Sequence, residues 1–350
     1  MQPNFKDSPM RKHGGLWPMI TDMDNIRLAF HKAALHKSSH KGVIKTKEYL
    51  EEYLKAIHDS LLNKTFTTSN YWEKIVHEPK KRTIYVLPFY PDRIVQHAIM
   101  NLVTPIWDRM FIHDSYACRD KKGVHAGSLR AMDYVRRNKY VLKCDISKFY
   151  PSVVHDILME IIKRKIKCPD TIWLVEDIVR SFPGGKNVPI GNYTSQWFGN
   201  LYMNEADQLI KHGLQKKYGR MDYIRYCDDF CLFHDDKSIL KKCREELREF
   251  LEQKLELKFS KCDIFPVSQG VDFLGYRHFP KYKLLRKSTT KRVRKRLASL
   301  PYLYEKKKLT FEQLRSSVAS TYGWLKHANS HNLQVKIQLK ELMNFVGEQQ

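Results

Sequence analysis

Apolar residues recur at intervals of three and four along several stretches of the chain, a spacing that predicts amphipathic helices. One apolar face consists of Tyr49, Leu50, Tyr53, Leu54, Ile57 and Leu61. Thr46 precedes this face and is placed to serve as the N-cap of its helix. The same spacing recurs over residues 94–107, 157–166 and 239–251. The last of these helices is predicted to begin at Asp236 or Ser238.

Short runs rich in aromatic and aliphatic residues predict β-strands between these helices. The runs cover residues 140–146, 223–227, 230–234 and 271–276. There is no regular alternation of strands and helices that would indicate a parallel sheet. Helices combined with antiparallel strands therefore predict an α+β fold.

Composition adds a strong positive charge to this picture. The chain has 350 residues, with 62 Lys and Arg against 38 Asp and Glu, which gives a formal charge of +24. Hydrophobic residues make up 42% of the chain, enough to build a core and to exclude a disordered basic tail. Such a surplus repels itself unless a polyanion is near, and nucleic acid is the commonest one. The alternative is a protein kept soluble by charge alone.

Nothing in the sequence indicates export or membrane insertion. The N-terminal stretch MQPNFKDSPMRKHGG lacks the apolar segment of a signal peptide, and the longest uncharged run, residues 187–204, is too polar to span a bilayer. Seven cysteines without a CxxC pair are typical of reduced thiols. Cys227, Cys231 and His234 are close in sequence, but three ligands on a predicted strand favour buried thiols over zinc. We expect a cytoplasmic protein.

The positive charge is concentrated near the C-terminus. Between Lys281 and Lys308 there are twelve Lys and Arg residues against the single Glu305. This run follows Pro280, where we place a domain boundary, and helical spacing resumes over residues 309–326 and 333–346. The sequence therefore predicts a small, basic, helical C-terminal module. A basic surface for acidic lipid is the competing interpretation, but the Lys and Arg residues interrupt any apolar stripe.

The candidate chemistry lies in three acids of this basic chain. In YIRYCDDFCLF, two β-forming runs flank Asp228 and Asp229, the place where a hairpin would turn. Aspartate is common in turns for structural reasons alone. In YVLKCDI, however, Asp145 lies on the polar face at the end of a strand, so adjacent pairing would bring three carboxylates together. Such a cluster is usually stabilised by divalent metal, and two Mg²⁺ ions imply nucleotidyl transfer.

Two of these segments resemble known motifs. CDISKFY (144–150) and YCDD (226–229) are similar to motifs A and C of the reverse transcriptases. The segments over 80–99, 115–127 and 271–276 resemble the two fingers blocks and the primer-grip region, in the order of that family. The resemblance implies an RNA-directed DNA polymerase with a right-hand architecture and an antiparallel palm sheet. It also implies dNTP substrates and two Mg²⁺ ions, for which Mn²⁺ could substitute.

The right-hand architecture divides the chain into three predicted domains. Residues 1–139 would form the fingers with an N-terminal extension, and residues 140–280 the palm. About 160–190 would contribute to the fingers, and residues 281–350 would form the basic helical thumb.

A further block, IGNYTSQ (190–196), distinguishes subgroups of the family. Most bacterial reverse transcriptases, including those of group II introns, carry QGxxxSP there, whereas Ile190 and Gln196 stand at the first and last positions here. This pattern is similar to the reverse transcriptases of diversity-generating retroelements. That subgroup copies a template-repeat RNA with errors opposite adenines. The resemblance implies template RNA, an RNA:DNA duplex and a small, basic, oligomeric accessory variability protein as partners, in a bacterial or phage-infected cell.

The resemblance also assigns roles around the reacting phosphate. Asp145, Asp228 and Asp229 would be the metal ligands and catalytic acids. Lys261, with Lys258 close by, would protonate the leaving pyrophosphate. Arg82, with Lys80 or Lys81, would bind the triphosphate, and Arg119 would bind the same anion or template phosphate. Tyr150 would pack beneath the sugar and exclude a 2′ hydroxyl.

The remaining assignments concern nucleic acid. Ile190, Gly191 and Gln196 would contact the templating pair, and Gly191 would allow close backbone approach. Ser195 would contact nucleic acid or serve as a helix N-cap. The C-terminal cations that would bind duplex phosphates are Lys287, Lys291, Arg292, Arg294, Lys295 and Arg296.

Two other functions remain open at this point. A related reverse transcriptase used in phage defence would share every catalytic residue. A non-catalytic RNA-binding scaffold on a decayed polymerase fold is the third interpretation, and the intact acid trio argues against it.

Overall fold

The computed structural model of the chain describes residues 13–77 and 82–348. The helices are α1 (Trp17–Thr21), α2 (Met23–Ala34), α3 (Lys41–Glu48), α4 (Leu50–Leu62), α5 (Ile94–Asp108), α6 (Val124–Arg137), α7 (Phe149–Ser152), α8 (His155–Lys163), α9 (Pro169–Arg180), α10 (Tyr193–Gln208), α11 (Gln215–Tyr218), α12 (Lys237–Lys254), α13 (Lys287–Glu305), α14 (Phe311–Leu325), α15 (His331–Lys336) and α16 (Leu339–Glu348). The strands are β1 (Trp72–Val76), β2 (Arg82–Val86), β3 (Tyr140–Ile146), β4 (Asp222–Tyr226), β5 (Asp229–His234), β6 (Phe259–Pro266), β7 (Val271–Phe273), β8 (Tyr276–His278) and β9 (Lys283–Leu285). The predicted α+β class is confirmed.

The central sheet has four strands in the order β4-β5-β3-β6, and all neighbours are antiparallel. Side chains alternate between its faces, so each strand supplies two cores. Leu142 and Leu232 lie in the main core with the helices, whereas Val141 and Phe233 pack on the other face with residues of α6 and β7. Because both faces are covered, the sheet is a rigid base for side chains at its ends.

The N-terminal helices share the main core, which covers one face of this sheet. Helices α1, α2, α4 and α5 share the main core with α8, α9, α10 and α12. Strands β1 and β2 form a separate antiparallel hairpin, in which Val76 pairs with Arg82. Tyr85 of this hairpin donates its backbone N–H to the carbonyl of Ile190 at 3.1 Å. The hairpin is therefore attached to the segment that enters α10.

The C-terminal part begins with a sheet in the order β7-β8-β9. Strand β9 follows Pro280 and pairs with β8, which precedes it, so this sheet crosses the predicted domain boundary. Helices α13 to α16 pack in a third core that includes Tyr276 and Leu285 of the sheet. The basic module is thus joined to the preceding region by strand pairing as well as by the chain.

A buried polar cluster lies where this sheet meets α6, and we call it the seam cluster: Ser128, His278 and Lys283. The Ser128 hydroxyl is 2.9 Å from Nε2 of His278, and Lys283 Nζ donates to Ser128 Oγ at 2.9 Å. His278 Nδ1 lies 3.1 Å from the carbonyl of Val271. Burial, with the nearby Lys283 and Lys143 charges, lowers the pKa of His278 to about 4. His278 therefore holds the seam together in its neutral form.

Several predicted boundaries are wrong. Thr46 lies inside α3 and donates its hydroxyl to the carbonyl of Gly42, so it caps no helix; α4 begins after Tyr49. The run 271–276 is two strands, because Leu274 and Gly275 turn with φ of 53° and 82°. The run 333–346 is divided between α15 and α16. The predicted start at Asp236 is confirmed, because its carboxylate accepts from the Ser238 N–H.

Within the described ranges, no helix combines the length and the apolar content needed to cross a membrane.

Candidate functional site

Three carboxylates converge at one end of the central sheet. Asp145 near the end of β3 lies opposite Asp229, the first residue of β5, and opposite Lys261 of β6. Cys227 and Asp228 form the two-residue turn between β4 and β5. Directly opposed residues of antiparallel strands project to the same face, so Asp145, Asp229 and Lys261 share one side of the sheet. The sequence-predicted convergence of the acids is therefore present.

Asp228 has a carboxyl group whose pKa is strongly raised. The side chain is half-buried at the turn. Burial, together with the neighbouring Asp145 and Asp229, raises the pKa of Asp228 to about 6, while the charge of Arg82 opposes this. The repulsion is the kind that a bound cation relieves.

Asp229 differs because it has a cationic partner. Lys143, two residues before Asp145 on β3, forms an ion pair with the Asp229 carboxylate. Burial raises the pKa of Asp229, and the Lys143 charge works in the opposite direction. One of the three negative charges is thus compensated within the protein.

Asp145 is oriented by β6. The Ser260 hydroxyl donates to Asp145 Oδ2 at 2.5 Å and also lies 3.1 Å from the Asp145 carbonyl oxygen. In the described residues no group of three His, Cys, Asp or Glu side chains is already arranged to hold a metal ion. Within the part of the chain that the structure describes, neither Asp145 nor Asp228 has a cationic ion-pair partner, so both offer carboxylate oxygens, the donor type that hard divalent cations prefer. The donor set fits such an ion.

Tyr150 lies beside the turn formed by Cys227 and Asp228, which we call the acidic turn. Its hydroxyl donates to the sulfur of Cys227 at 3.9 Å, and its ring contacts Phe149 with centroids 5.2 Å apart. A Cβ on Gly199 of α10 would lie 3.2 Å from the Tyr150 ring. The ring is therefore fixed between the turn and α10, next to the place where Asp228 projects.

The block over 190–196 connects the N-terminal hairpin with α10. Gly191 has φ of 125°, and a Cβ there would lie 2.7 Å from the Tyr85 carbonyl oxygen. The close backbone approach expected of Gly191 is thus with β2. Ile190 is half-buried, whereas Gln196 is exposed and accepts a hydrogen bond from the Cys118 thiol at 2.9 Å. Gln196 is therefore open to a ligand, and so is the exposed Gly191.

The surroundings of Ser195 and Arg119 do not agree with the ligand contacts predicted for them. Ser195 is 2% exposed inside the first turn of α10, whose N-cap is Asn192, so Ser195 neither caps the helix nor reaches a ligand surface. Arg119 donates from Nε to Asp108 at 2.5 Å and from Nη1 to the carbonyls of Ile112 and Ser115. Its guanidinium is largely buried and holds the backbone around residues 112–115, so it is not free to bind a phosphate.

The other predicted cations have different positions. Arg82 is exposed at the start of β2, close enough to influence Asp228. Lys80 and Lys81 lie outside the described residues. Lys261 is exposed on β6 opposite Asp145, whereas Lys258 precedes the strand and accepts from Ser147 N–H through its carbonyl. The geometry favours Lys261 over Lys258.

The basic helix α13 presents its charge to solvent. All six predicted phosphate-binding residues are exposed: Lys287, Lys291, Arg292, Arg294, Lys295 and Arg296. A groove of about 540 Å³ between α13 and α14 is lined by Arg292, Lys295 and Arg296 together with hydroxyl side chains such as Ser299 and Ser320. Cations and hydroxyls in one groove are suited to phosphate oxygens.

Sequence reasoning missed three supporting residues. Lys143 shares the strand face of Asp145 at a spacing of two, a signal that was present in YVLKCDI. Ser260 could not be found in this way, because it reaches Asp145 only through the pairing of β3 with β6. Arg225 is a cation flanked by Tyr223, Ile224 and Tyr226, which is itself a sign of a buried partner.

Comparisons with known proteins agree with this geometry. The profile of the family described as "Reverse transcriptase (RNA-dependent DNA polymerase)" matches residues 73–278, more than half of the chain. Protein YkfC of Escherichia coli is 28% identical over 234 residues, which covers 55% of this chain and 61% of that protein. Group II intron-encoded protein LtrA of Lactococcus lactis is 21% identical over 302 residues, 65% of this chain and 50% of that protein.

Among solved structures, apo telomerase from Candida tropicalis is similar with a TM-score of 0.47 and 14% identity, over 79% of this chain and 62% of that one. The chain spans less than two thirds of the length of the curated relatives named above.

Proposed function

The chain belongs to the reverse transcriptase family, and from that premise we propose that it is the RNA-directed DNA polymerase of a diversity-generating retroelement. One observation supports the polymerase activity above all: Asp145 pairs with Asp229 at one end of the central sheet, next to the turn that carries Asp228. A carboxyl pKa raised to about 6 by burial and by like charges supports a site built for cations.

In the proposed reaction, a primer 3′ hydroxyl attacks the α-phosphate of a dNTP and pyrophosphate leaves. When bound, two Mg²⁺ ions, or Mn²⁺ as a substitute, supply Lewis-acid stabilisation of the attacking and leaving oxygens. Asp145 and Asp228 would hold these ions, and Asp229 would support them while paired with Lys143.

Around that centre, Lys261 would donate a proton to the leaving pyrophosphate. Arg82, with Lys80 or Lys81, would bind the triphosphate, and the Arg82 guanidinium would do so bidentately. The fixed ring of Tyr150 would lie under the sugar and collide with a 2′ hydroxyl, which makes dNTPs the substrates.

We further propose the division of the right hand among the three parts of the chain. Residues 1–139 form the fingers, residues 140–280 the palm and residues 281–350 the thumb, with about 160–190 assigned to the fingers. Because β9 pairs with β8 across residue 280, the thumb begins as a strand of a sheet shared with the palm. The exposed cations of α13 and the groove beside them support duplex binding by the thumb.

The retroelement assignment is supported by the block over 190–196. We propose that Ile190 and Gln196, in place of the commoner Gln and Pro, loosen the fit of the templating pair and produce errors at template adenines. The exposure of Gln196 and its hydrogen bond with Cys118 support a contact with template or its partner base. The same assignment implies template-repeat RNA and a small, basic, oligomeric accessory variability protein, in the cytoplasm of a bacterial or phage-infected cell.

Primer extension on an RNA template with Mg²⁺ tests the polymerase activity. Wild type should add dNTPs and Asp228→Asn should not. The exposed α12 change Glu252→Gln is the matched control and should behave as wild type. Equal incorporation by wild type and Asp228→Asn would overturn the proposal.

Sequencing of the cDNA tests the retroelement assignment separately. Wild type should misincorporate mainly opposite template adenines. The double change Ile190→Gln with Gln196→Pro should lower that error while extension continues. An active enzyme whose errors show no adenine preference would leave a polymerase of another reverse transcriptase system, such as phage defence.

A further inference from the structure

Arg225 lies buried beneath the acidic turn and has no access to solvent. From β4 it donates to both carboxylate oxygens of Asp207, through Nε at 2.8 Å and Nη2 at 2.6 Å. Its Nη1 donates to the side-chain oxygen of Asn200 and to the carbonyl oxygen of Cys227, each at 3.0 Å. The guanidinium thus connects two residues of α10 with the residue that immediately precedes Asp228.

The carbonyl of Cys227 needs such a partner. Cys227 has φ of 53°, a backbone conformation that residues other than glycine seldom adopt. Cys227 and Asp228 are also the two residues of a tight turn, where nothing else in the strand ladder fixes the peptide between them. The hydrogen bond from Arg225 fixes one end of that peptide and therefore the direction in which Asp228 leaves the turn.

The anchor of Arg225 is itself immobile. Asp207 is fully buried and accepts a further hydrogen bond from the Tyr223 hydroxyl at 2.6 Å. Asn200 is 1% exposed and donates to the carbonyl of Ala117 at 2.9 Å. A buried ion pair is costly to desolvate, and apolar side chains can commonly replace it without loss of stability. The Arg225–Asp207 pair under the turn therefore calls for a reason other than stability.

We propose that Arg225 is a positioning residue that sets the orientation of Asp228 for divalent cation binding, with Asp207 and Asn200 of α10 as its fixed support. Arg225 touches neither substrate nor cation and acts through the Cys227 carbonyl. The inference rests on the proposed function, because it concerns the cation site of that polymerase.

The test must remove the anchor without leaving a buried charge. Arg225→Met alone would strand the Asp207 carboxylate, whereas Arg225→Met with Asp207→Asn removes both charges and keeps an acceptor for Tyr223. Arg225→Lys can still pair with Asp207 but cannot reach the Cys227 carbonyl at the same time. The matched control is Arg164→Met with Glu205→Gln, which breaks an ion pair between exposed Arg164 at the C-terminal end of α8 and half-buried Glu205 of α10.

Binding of Mn²⁺ to the nucleotide-free full chain is measured by the paramagnetic resonance signal of the free ion. We expect the charge-neutral double variant to bind Mn²⁺ about 10- to 100-fold more weakly than wild type, as for other residues that orient metal ligands. In primer extension, its half-saturating Mg²⁺ concentration should rise by a similar factor. The KM for dNTP at saturating Mg²⁺ should stay within about twofold of wild type, which general loosening of the fold would not give.

Wild-type Mn²⁺ affinity in a folded double variant overturns the proposal. If the double variant does not fold, Arg225→Lys is measured instead. Wild-type Mn²⁺ affinity in Arg225→Lys overturns the proposal equally. Weakened Mn²⁺ affinity with an unchanged KM for dNTP supports it. Failure of the proposed function is distinguishable: wild type would then neither bind Mn²⁺ nor extend a primer. The control pair must match wild type in every measurement, because a loss there would show that any change at α10 weakens cation binding.

Discussion

The acidic turn and the basic helix α13 use charge in opposite ways. At and beside the turn, three half-buried aspartates are held by neighbouring residues. The Asp229 carboxylate pairs with Lys143, the Asp145 carboxylate accepts a hydrogen bond from Ser260, and the carbonyl before Asp228 accepts one from Arg225. On α13, six cations are exposed, and among the described residues only Arg296 has a side-chain hydrogen bond, with Ser317. One region has few charges in fixed positions, and the other has many charges with freedom to adjust.

The difference is what the proposed ligands of the two regions would require. Chemistry at one phosphorus atom requires ligands placed to a fraction of an ångström, which only buried, supported side chains provide. A duplex backbone offers many equivalent phosphates, so number matters more than exact placement. Single substitutions should therefore abolish function at the turn and have graded effects on the helix.

The largest effect is expected for Asp145→Asn, which keeps the shape of the side chain and removes its charge. Primer extension should fall by about 10³-fold or more, roughly 4 kcal/mol in transition-state stabilisation. Duplex affinity, measured by fluorescence anisotropy, should remain within about twofold of wild type. A comparable loss of duplex affinity would break the distinction between the two regions.

The next effect concerns the seam cluster, where the β7-β8-β9 sheet that precedes α13 meets α6. The pKa of His278 is lowered to about 4 in the folded protein, against about 6.5 in the unfolded chain, so the unfolded chain takes up the proton first as pH falls. The stabilisation is complete above pH 6.5 and is lost as pH falls through 6.5 towards 4. At pH 5 the free energy of unfolding should be about 2 kcal/mol lower on this account alone.

Urea unfolding of wild type and His278→Gln at pH 7.5 and pH 5 measures this term. The variant should lose about 2 kcal/mol less than wild type over the same interval. Parallel losses in both proteins would contradict a neutral, buried His278.

A smaller effect is expected where the acidic cluster has its own cation. Lys143→Met leaves Asp229 partly buried without a partner, and we expect extension to slow about tenfold, or roughly 1.4 kcal/mol. Adding Asp229→Asn should recover the stability lost in Lys143→Met, because no unpaired charge then remains. Urea unfolding of the two variants is the measurement; equal instability of both would show that Lys143 acts by packing alone.

The smallest single effects should occur on α13. If five or six of its cations meet phosphates, log K for duplex should fall with log[salt] at a slope of magnitude ~4 to 5, and Lys291→Gln or Lys295→Gln should each reduce that magnitude by about 1. The exposed α12 change Lys241→Gln is the matched control and should leave the slope unchanged. A wild-type slope near zero would exclude an electrostatic grip.

Local sequence patterns were sufficient for the acids and insufficient for their supports. Strand alternation and a hairpin signal place Asp145, Asp228 and Asp229, because both are properties of neighbouring residues. Ser260 and Asp207 act on the site through contacts between segments distant in sequence, which periodicity does not encode.

The corrections have the same cause. Arg119 is a cation in the expected block, yet Asp108 at the end of α5 captures it. Ser195 is a small polar residue of the kind that caps a helix or contacts nucleic acid. The N-cap of α10 is Asn192, however, so Ser195 lies inside the first turn and is buried. In the run 271–276 the sequence did contain a signal, Gly275, whose positive φ turns the chain.

Helix α10 carries Gln196 in its first turn and Asn200 and Asp207, the support of Arg225, further along. On the proposed role of Gln196, selection on copying accuracy and selection on catalytic rate would act on the same helix. A lineage that changes the first turn to retune its mutation spectrum would shift the support of the catalytic turn as well. Compensating substitutions are then expected along the buried side of this helix. Copying accuracy and catalytic rate should change together rather than independently.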